Sequence, residues 1–358
     1  MTHRLMLVTC GALVAAFVSN AGATSPQRTF VSSHGNDANP CSLASPCRGF
    51  AAAVAAVADR GEVIVLDSAG YGPVTITKSV SLIAPNGIYA GITVVAGDGV
   101  TINAPEAYVV LRGLSINGQG GDNGISLKLA FRLRVESCVI SNMAVNGIMH
   151  SAPGAEMIVL DTIIRDNHGS GIFADTNASI LLDHVRSEHN ESHGFILNSS
   201  NSSPGASAMI TDSIFAFNGI HGIFVASTIN GKTHAQVERS VMSDNGGDGI
   251  RTSAAGSGQT AVGVTRNSIH NNSYYGVGVL ATGAGINITT VSDNMIRISP
   301  GGILADGIGV YVSVSSNNME TNSPTFVQTN QATIASYRNN VGRYSASGGA
   351  VIQTEVGF

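Results

Sequence analysis

Residues 166–198 read DNHGSGIFADTNASILLDHVRSEHNESHGFILN and contain the same pattern twice. Asn167 lies four residues before the Gly171-Ile172 step, and Asn190 lies four residues before Gly194-Phe195. Between the two patterns, apolar and polar residues alternate in the run ASILLDHV, which is typical of a half-buried β-strand. This stretch therefore predicts a repeating unit that is built from short strands.

The pattern extends through most of the chain. Steps from glycine to an apolar residue recur every 23 to 28 residues, at Gly124, Gly147, Gly171, Gly194, Gly222, Gly249, Gly276 and Gly302. Asparagines keep phase four residues before the glycine at Asn167, Asn190, Asn218, Asn245 and Asn272, and Asn142 lies five before. A four-stranded propeller blade needs about 40 residues, so this period fits one coil of three short strands. We therefore predict rungs stacked in parallel, about 4.8 Å apart, with an internal ladder of asparagine side chains.

With this phasing the chain resembles the right-handed parallel β-helix proteins, also called pectin-lyase-like, of the carbohydrate-binding and sugar-hydrolase repeat type. The Asn-x-x-x-Gly-Ile phasing from Asn142 to Ile303 carries the resemblance, together with the start TFVSSHGNDANPCSLASPCRGFAAAVAAV at 29–57. The resemblance implies an all-β fold, a single-stranded right-handed parallel β-helix. The segment 47–61 has apolar residues at helical spacing, which predicts a short helix that caps the N-terminal end.

The start of the chain predicts export. Arg4 precedes an apolar run over 5–18, and Ala21-Gly22-Ala23 is a small-x-small cleavage pattern, so we expect a signal peptide at 1–23. The remainder, 24–358, is predicted to be one β-helix domain with its regular rungs at about 124–303. The expected location is secreted or periplasmic, without stable membrane insertion. Charged residues make up 11% of the chain and the net charge is -5, so the basic surface that binds nucleic acid is not expected.

Three cysteines lie beyond the signal peptide. Cys41 and Cys47 are six residues apart, and in an oxidising compartment we favour a disulfide over a zinc site, which would need further ligands. Cys138 lies in an apolar strand pattern and is interpreted as a small buried hydrophobe. Neither a cofactor nor a metal is expected, and the sequence does not predict the oligomeric state.

Candidate functional residues come from the position before each glycine step. Stacking places this position on adjacent rungs and gives, in order, Asn123, Asn146, Ser170, His193, His221, Asp248, Tyr275 and Gly301. His193, His221, Asp248 and Tyr275 thus form a titratable column. Side chains alternate across a strand, so outward positions on the same side add Phe224, Arg251, Lys128, Asp175 and Asn198. We interpret this face as a polar groove that binds substrate through Phe224, Asp175, Lys128 and Asn198.

The column suits proton abstraction next to a carboxylate, as in lyases and C5-epimerases of uronic-acid polymers. Arg251 would neutralise the carboxylate, a neutral His193 or His221 would accept the proton, and Tyr275 would donate one. Asp248 is expected to favour protonation of His221, its neighbour. A glycoside hydrolase needs two carboxylates about 5 to 9.5 Å apart, and the column supplies one, so hydrolysis is the weaker interpretation.

The tetrapeptide SHGF at 192–195 resembles the stretch around a catalytic histidine in mannuronan C5-epimerases, which implies His193 as the matching residue. Those enzymes also carry Tyr-Gly-Phe-Asp-Pro-His two rungs earlier, whereas this chain has NGIMHS at 146–151. The sequence therefore predicts an exported protein that binds an acidic polysaccharide, with lyase or epimerase chemistry as the reaction the column would support. The alternative is a non-catalytic surface adhesin or envelope structural protein.

Overall fold

The chain coils as a parallel solenoid of three sheets. The computed structural model describes residues 25–175, 177–200, 205–337 and 339–342, and the backbone of 346–347. The predicted signal peptide at 1–23 lies outside the described residues. No helix in the described part of the chain is long and apolar enough to cross a membrane.

Each turn of the solenoid is called a rung, and over most of the chain successive strands belong to sheets 1, 2 and 3 in that order. Sheet 1 contains Val74–Ile76, Val100–Asn103, Ile125–Leu129, Ile148–His150, Ile172–Asp175, Phe195–Ser200, Ile223–Thr228, Ile250–Ala254, Tyr275–Ala281, Gly301–Asp306, Phe326–Thr329 and Ala346–Ser347. Sheet 2 contains Arg28–Val31, Gly61–Val65, Val80–Ile83, Tyr108–Arg112, Arg132–Glu136, Glu156–Leu160, Ser179–Asp183, Ala206–Thr211, Lys232–Glu238, Gln259–Thr265, Ile286–Ser292, Val310–Ser315 and Thr333–Ser336. Sheet 3 contains Ala69–Gly70, Ala90–Val94, Leu114–Gly118, Val139–Ser141, Ile163–Arg165, Arg186–Glu188, Ile214–Ala216, Val241–Ser243, Ser268–His270 and Met295–Arg297.

The strand pairings confirm the predicted phase. Ile172 is the partner of Phe195, Phe195 of Ile223, and Ile223 of Ile250, and all these pairings are parallel. These four side chains are fully buried. The apolar residue after each glycine therefore stacks on its equivalent and fills the interior of the coil.

The glycine of each step is required because two rungs approach closely there. A Cβ atom at Gly194 would lie 2.6 Å from the carbonyl oxygen of Gly222 and 2.9 Å from Nδ2 of Asn218. Both distances are shorter than ordinary van der Waals contact. The repeated glycine is therefore a packing requirement of the coil.

The predicted asparagine ladder is present and buried. Nδ2 donates to Oδ1 of the next rung from Asn167 to Asn190 at 2.8 Å, from Asn190 to Asn218 at 3.0 Å, from Asn218 to Asn245 at 3.0 Å and from Asn245 to Asn272 at 2.9 Å. The inclusion of Asn142 was wrong. Asn142 lies at a corner with φ of 60° and donates to Asn117, while the buried Met143 takes the ladder position.

A second ladder, which the sequence analysis missed, follows the corner between sheets 2 and 3. Nδ2 donates to the Oδ1 above it from Asn267 to Asn294, Asn294 to Asn317 and Asn317 to Asn340, each at 3.0 Å. Earlier rungs use hydroxyls at the same place, since Ser213 N–H donates to Ser240 Oγ at 3.1 Å. Changing residue types from rung to rung conceal this ladder in the sequence.

The predicted N-terminal helix is present but shorter, at Phe50–Ala56. It buries Phe50, Ala53 and Val54. Val57 is extended, with ψ of 150°, and ends the helix. Thr29 of the first strand of sheet 2 donates to the carbonyl oxygen of Ala53 at 3.1 Å, which fixes the helix to the first rung.

A disulfide joins Cys41 to Cys47 in the loop before this helix. Cys138 is free and buried, and burial raises the pKa of its thiol to about 11. Only the thiolate is an effective nucleophile, so Cys138 acts as core packing.

Candidate functional site

The structure places His193 and His221 side by side at the start of two adjacent strands of sheet 1. The two ring centroids are 5.1 Å apart, with 36° between the ring planes. The stacking of equivalent positions on successive rungs thus brings together two imidazoles that are 28 residues apart in the chain.

Backbone amides of the next rung fix the protonation of both rings. The N–H of His221 donates to Nδ1 of His193 at 3.3 Å, and the N–H of Asp248 donates to Nδ1 of His221 at 2.8 Å. A ring nitrogen that accepts from an amide carries no proton, so each neutral ring holds its proton on Nε2. Both histidines are therefore hydrogen-bond donors at Nε2.

These Nε2 atoms face solvent. In the described residues, neither Nε2 makes a hydrogen bond, and the only buried side-chain nitrogen or oxygen atom without a partner is Nε of Arg297. The two Nε2–H groups are therefore available to a ligand.

The expectation that His221 would be the cation of the pair was wrong. Burial lowers the pKa of His193 to about 4 and that of His221 to about 3, and the charges of Arg251 and His193 add to the effect at His221. Asp248 presents its backbone N–H to His221, while its carboxylate is directed at other groups. Both histidines are therefore neutral at pH 7.

The carboxylate of Asp248 forms a buried ion pair with Arg251. Asp248 is fully buried, its Oδ2 accepts from Nε of Arg251, and its Oδ1 accepts from the N–H of Tyr275 at 2.9 Å. Burial raises the pKa of Asp248, against the opposing effects of Arg251 and the Tyr275 amide. The Arg251 side chain keeps 19% of its surface exposed, so its terminal nitrogens remain near solvent.

Gly278 makes room for this ion pair. It is the partner of Arg251 on the next strand, and a Cβ atom there would collide with Oδ2 of Asp248 and lie 3.1 Å from Nε of Arg251. The sequence analysis missed Gly278, although it holds the same outward position as Phe224 and Arg251.

Tyr275 continues the column on the next rung. Its ring lies over Gly301, its partner on the following strand. A Cβ atom at Gly301 would collide with two carbons of this ring. The predicted column from His193 to Tyr275 is thus contiguous in space. Its use in catalysis stays a prediction.

Phe224 completes a cluster of three rings with the histidines. Its centroid is 5.4 Å from that of His193, with the planes 21° apart, and 5.8 Å from that of His221. Arg251 is the strand partner of Phe224. The apolar ring and the cation therefore lie next to each other on the outer face of sheet 1.

The same outward row continues towards the N-terminus as an apolar strip that the sequence analysis did not identify. Met149, Phe173, Ile196 and Phe224 are successive strand partners. A shallow concavity of about 370 Å³ lies over this strip, lined by residues that include Asn146, Ser170 and His193. The position two residues after each repeated glycine would have revealed the whole strip.

The other predicted binding residues are spread along sheet 1. Asp175 and Asn198 are strand partners, and Nδ2 of Asn198 donates to Oδ1 of Asp175 at 2.8 Å. Lys128 lies three rungs before His193, and its Nζ is 3.6 Å from Oδ2 of Asp98. Lys128 and Asp98 therefore form an ion pair away from the histidine pair, towards the N-terminal end of sheet 1.

Among the described residues, no group of three His, Cys, Asp or Glu side chains is placed to hold a metal ion. The hydrogen-bond donors of the site are two imidazole N–H groups and a guanidinium.

Comparison with known proteins supports the architecture. Residues 62–207 match the sequence model of the family described as "Right handed beta helix region". The fold is a right-handed parallel β-helix. No curated protein matches the sequence of this β-helix.

Three solved structures resemble the β-helix at low sequence identity. The A-module of mannuronan C-5 epimerase AlgE6 from Azotobacter vinelandii has a TM-score of 0.57 and 14% identity, over 79% of this chain and 91% of that one. Pectate lyase Pel9A has a TM-score of 0.54 and 14% identity, over 90% and 80%. The Dettilon tailspike protein has a TM-score of 0.60 and 11% identity, over 78% and 60%. At such identities the likeness concerns the fold alone.

Proposed function

We propose that this protein binds an acidic polysaccharide along the outer face of sheet 1, at the histidine column and the apolar strip beside it. The observation that carries the proposal is the run of solvent-facing donors on consecutive rungs. Nε2–H of His193, Nε2–H of His221 and the guanidinium of Arg251 lie on three adjacent rungs, each about 4.8 Å from the next. Carboxylate and hydroxyl oxygens of a uronic-acid polymer are the acceptors that such a row fits.

The apolar strip supports the same ligand class. A pyranose ring presents C–H groups on its faces and polar groups on its edge, so it can lie against Phe224, Ile196 and Phe173 while its edge meets the column. Two structures with the same fold are named for acidic polymers, mannuronan and pectate. Those names support the choice of ligands to test.

Binding is better supported than proton abstraction. A histidine that acts as a base must accept a proton, but Nδ1 of each ring is occupied by a backbone N–H and Nε2 already carries a proton. Arg251 is engaged by Asp248 and so supplies donors more than net charge. We therefore assign the column to ligand recognition. A protein that only binds in this way would be a non-catalytic adhesin.

The test is retention of the mature protein by gels containing polygalacturonate or alginate, compared with neutral dextran. We expect retention by the acidic gels and its loss in Phe224→Ala. His193→Asn tests the donor role, because it removes Nε2–H and keeps an acceptor for the amide of the next rung. Asn146 already serves as such an acceptor, with its Oδ1 at 3.0 Å from Ser170 N. Retention equal to wild type in both variants would remove the site from this surface.

The same polymers decide between binding and chemistry. Absorbance near 235 nm reports unsaturated ends made by a lyase, and proton NMR reports C5 inversion. We expect neither signal. Either signal, if it disappears in His193→Asn, would establish catalysis and overturn the assignment to recognition.

We also propose that the chain is exported. The Cys41–Cys47 disulfide and the predicted signal peptide at 1–23 support an oxidising compartment. The measurement is the N-terminal sequence of the protein from the periplasm or medium, which should begin at Thr24. A cytoplasmic protein that retains Met1 and free Cys41 and Cys47 thiols would contradict this proposal.

A further inference from the structure

A further concavity lies away from the column, on the outer face of sheet 2. Its volume is about 530 Å³, and it crosses the strands Ala206–Thr211, Lys232–Glu238, Gln259–Thr265 and Ile286–Ser292. We call it the sheet 2 groove.

Two outward rows of side chains form the groove. One row contains Lys232, Gln259 and Ile286, which are successive strand partners. The other contains Ser207, His234, Ala261 and Ile288, also successive partners. The short Ala261 lies between His234 and Ile288, which are two rungs or about 10 Å apart. This step in side-chain size creates a notch that is open to solvent.

The floor of the notch is closed and its polar groups are satisfied. Thr233 and Thr260 are buried, and their hydroxyls donate to the carbonyl oxygens of Ala226 at 2.7 Å and Ser253 at 2.8 Å. The notch is thus built on a hydrogen-bonded strand surface, which preorganises its shape.

The walls combine exposed apolar surface with polar groups that have no partner. Ile286 and Ile288 are 45% and 49% exposed. In the described part of the chain, the side chains of Lys232, His234 and Gln259 make no hydrogen bond or ion pair. Apolar faces between free donors suit a sugar ring, whose faces carry C–H groups and whose edge carries hydroxyls.

The charge of the groove selects the kind of sugar. Within the ranges that the structure describes, Lys232 has no counter-ion and none of the residues lining the groove is a carboxylate, although the whole chain has a net charge of -5. A local positive site on a negative protein favours an anionic ligand.

We propose that the sheet 2 groove is a second saccharide-binding site, which takes one or two uronic-acid units of an acidic polysaccharide. Lys232 binds the carboxylate, Gln259 and His234 bind hydroxyls, and the two isoleucines contact the face of the ring. The choice of ligand rests on the proposed function, whereas the site is separate from the column. One chain would then hold the polymer at two places, which raises its avidity.

The test is calorimetric titration of the full chain with hexagalacturonate and hexamannuronate, with neutral cellohexaose as the control ligand. We expect two equivalents of an acidic hexamer per chain and only one in Ala261→Phe, which fills the notch. Lys232→Gln should weaken one equivalent about fivefold. The matched control for added bulk is Ile158→Phe, an outward and partly buried position of sheet 2 four rungs before Ala261, which should bind as wild type.

The two sites fail separately in this experiment. Phe224→Ala should remove the other equivalent, so a loss in Phe224→Ala with no change in Ala261→Phe or Lys232→Gln would overturn the groove and leave the column. The reverse result would overturn the column. Equal binding of cellohexaose would overturn the role of Lys232. If Ala261→Phe is misfolded by circular dichroism, Lys232→Gln at an exposed position decides alone.

The exposed isoleucines also allow a different occupant, a second copy of the chain. Light scattering of wild type and Ala261→Phe distinguishes it. A wild-type dimer that dissociates in Ala261→Phe while the sugar stoichiometry stays unchanged would overturn the saccharide site and make the groove an interface.

Discussion

Each histidine of the column serves as an acceptor for the backbone of the next rung. The amide of Asp248 donates to His221 in the way that the amide of Ser170 donates to Asn146. Asparagine can therefore replace the imidazole as an acceptor, although it lacks the second ring nitrogen. This separates the structural role of the ring from its role as an outward donor.

We predict that the free energy of unfolding of His221→Asn lies within about 1 kcal/mol of the wild-type value. His221→Ala should lose about 1 to 3 kcal/mol, because the Asp248 amide is left unsatisfied. Urea denaturation measures both. If His221→Asn proved as unstable as His221→Ala, acceptance at this position would not explain the column.

Gly278 is predicted to be indispensable to the Asp248–Arg251 pair. Gly278→Ala should destabilise the protein by about 2 kcal/mol or more, because the added methyl group displaces a buried carboxylate from its cation. Gly70→Ala is the matched control, since its Cβ would meet only the carbonyl oxygen of Gly91 at 3.9 Å. Equal thermal unfolding of the two variants would show that the pair tolerates displacement.

At the scale of elements, the corners are stabilised by ladders of side chains. Asn218 accepts from Nδ2 of Asn190 at 3.0 Å and from its N–H at 3.2 Å. Asn218→Ala leaves both buried donors unsatisfied, so we predict a loss of about 2 to 4 kcal/mol. Asn142→Gly, outside the ladder and at positive φ, should stay within about 0.5 kcal/mol of wild type. Similar losses in the two variants would contradict a stabilising ladder.

The corners that precede the ladders use the left-handed region of backbone space. Ile298 has φ of 60° and is 59% exposed, which is unfavourable for a β-branched residue. Ile298→Asn should therefore raise the free energy of unfolding by about 1 kcal/mol. Ile308→Asn is the control, because Ile308 is 68% exposed without a positive φ. A loss of stability in Ile298→Asn would refute the strain.

The sequence predicted the coil, its phase and the first ladder because the same residue type recurs at each of those places. It did not predict the second ladder, where serine precedes asparagine along the row. For the site, phase identified which residues are neighbours, including His193 and His221. The stacking does not say which atoms of neighbouring residues are in contact. The ring tautomers and the ion pair of Asp248 with Arg251 are therefore seen only in the structure.

At the scale of the whole molecule, buried neutral histidines make stability depend on pH. His150 is buried like the column pair, and burial lowers its pKa to about 4. In the unfolded chain these three residues titrate near 6.5, so below that pH the unfolded state binds more protons than the folded state. The contribution of these neutral histidines to the free energy of unfolding is therefore fully present above pH 6.5, and it is lost as the pH falls towards 4.

We predict a loss of up to about 1.4 kcal/mol per pH unit for each of the three histidines between pH 6 and pH 5. Urea denaturation at several pH values measures the slope. The double variant His193→Asn/His221→Asn should keep about one third of the slope of the free energy of unfolding against pH. A slope unchanged in the double variant would assign the acid sensitivity to other groups.

The registration of one rung on the next has a genetic consequence. Asn218-Gly219 and Asn245-Gly246 occupy the same place on successive turns, and their strands pair without a shift. Excision of residues 219–245 would splice Asn218 to Gly246, shorten the protein by a single turn and bring His193 directly against Asp248. Length and surface chemistry can thus change together in modular steps, with the cross-section conserved.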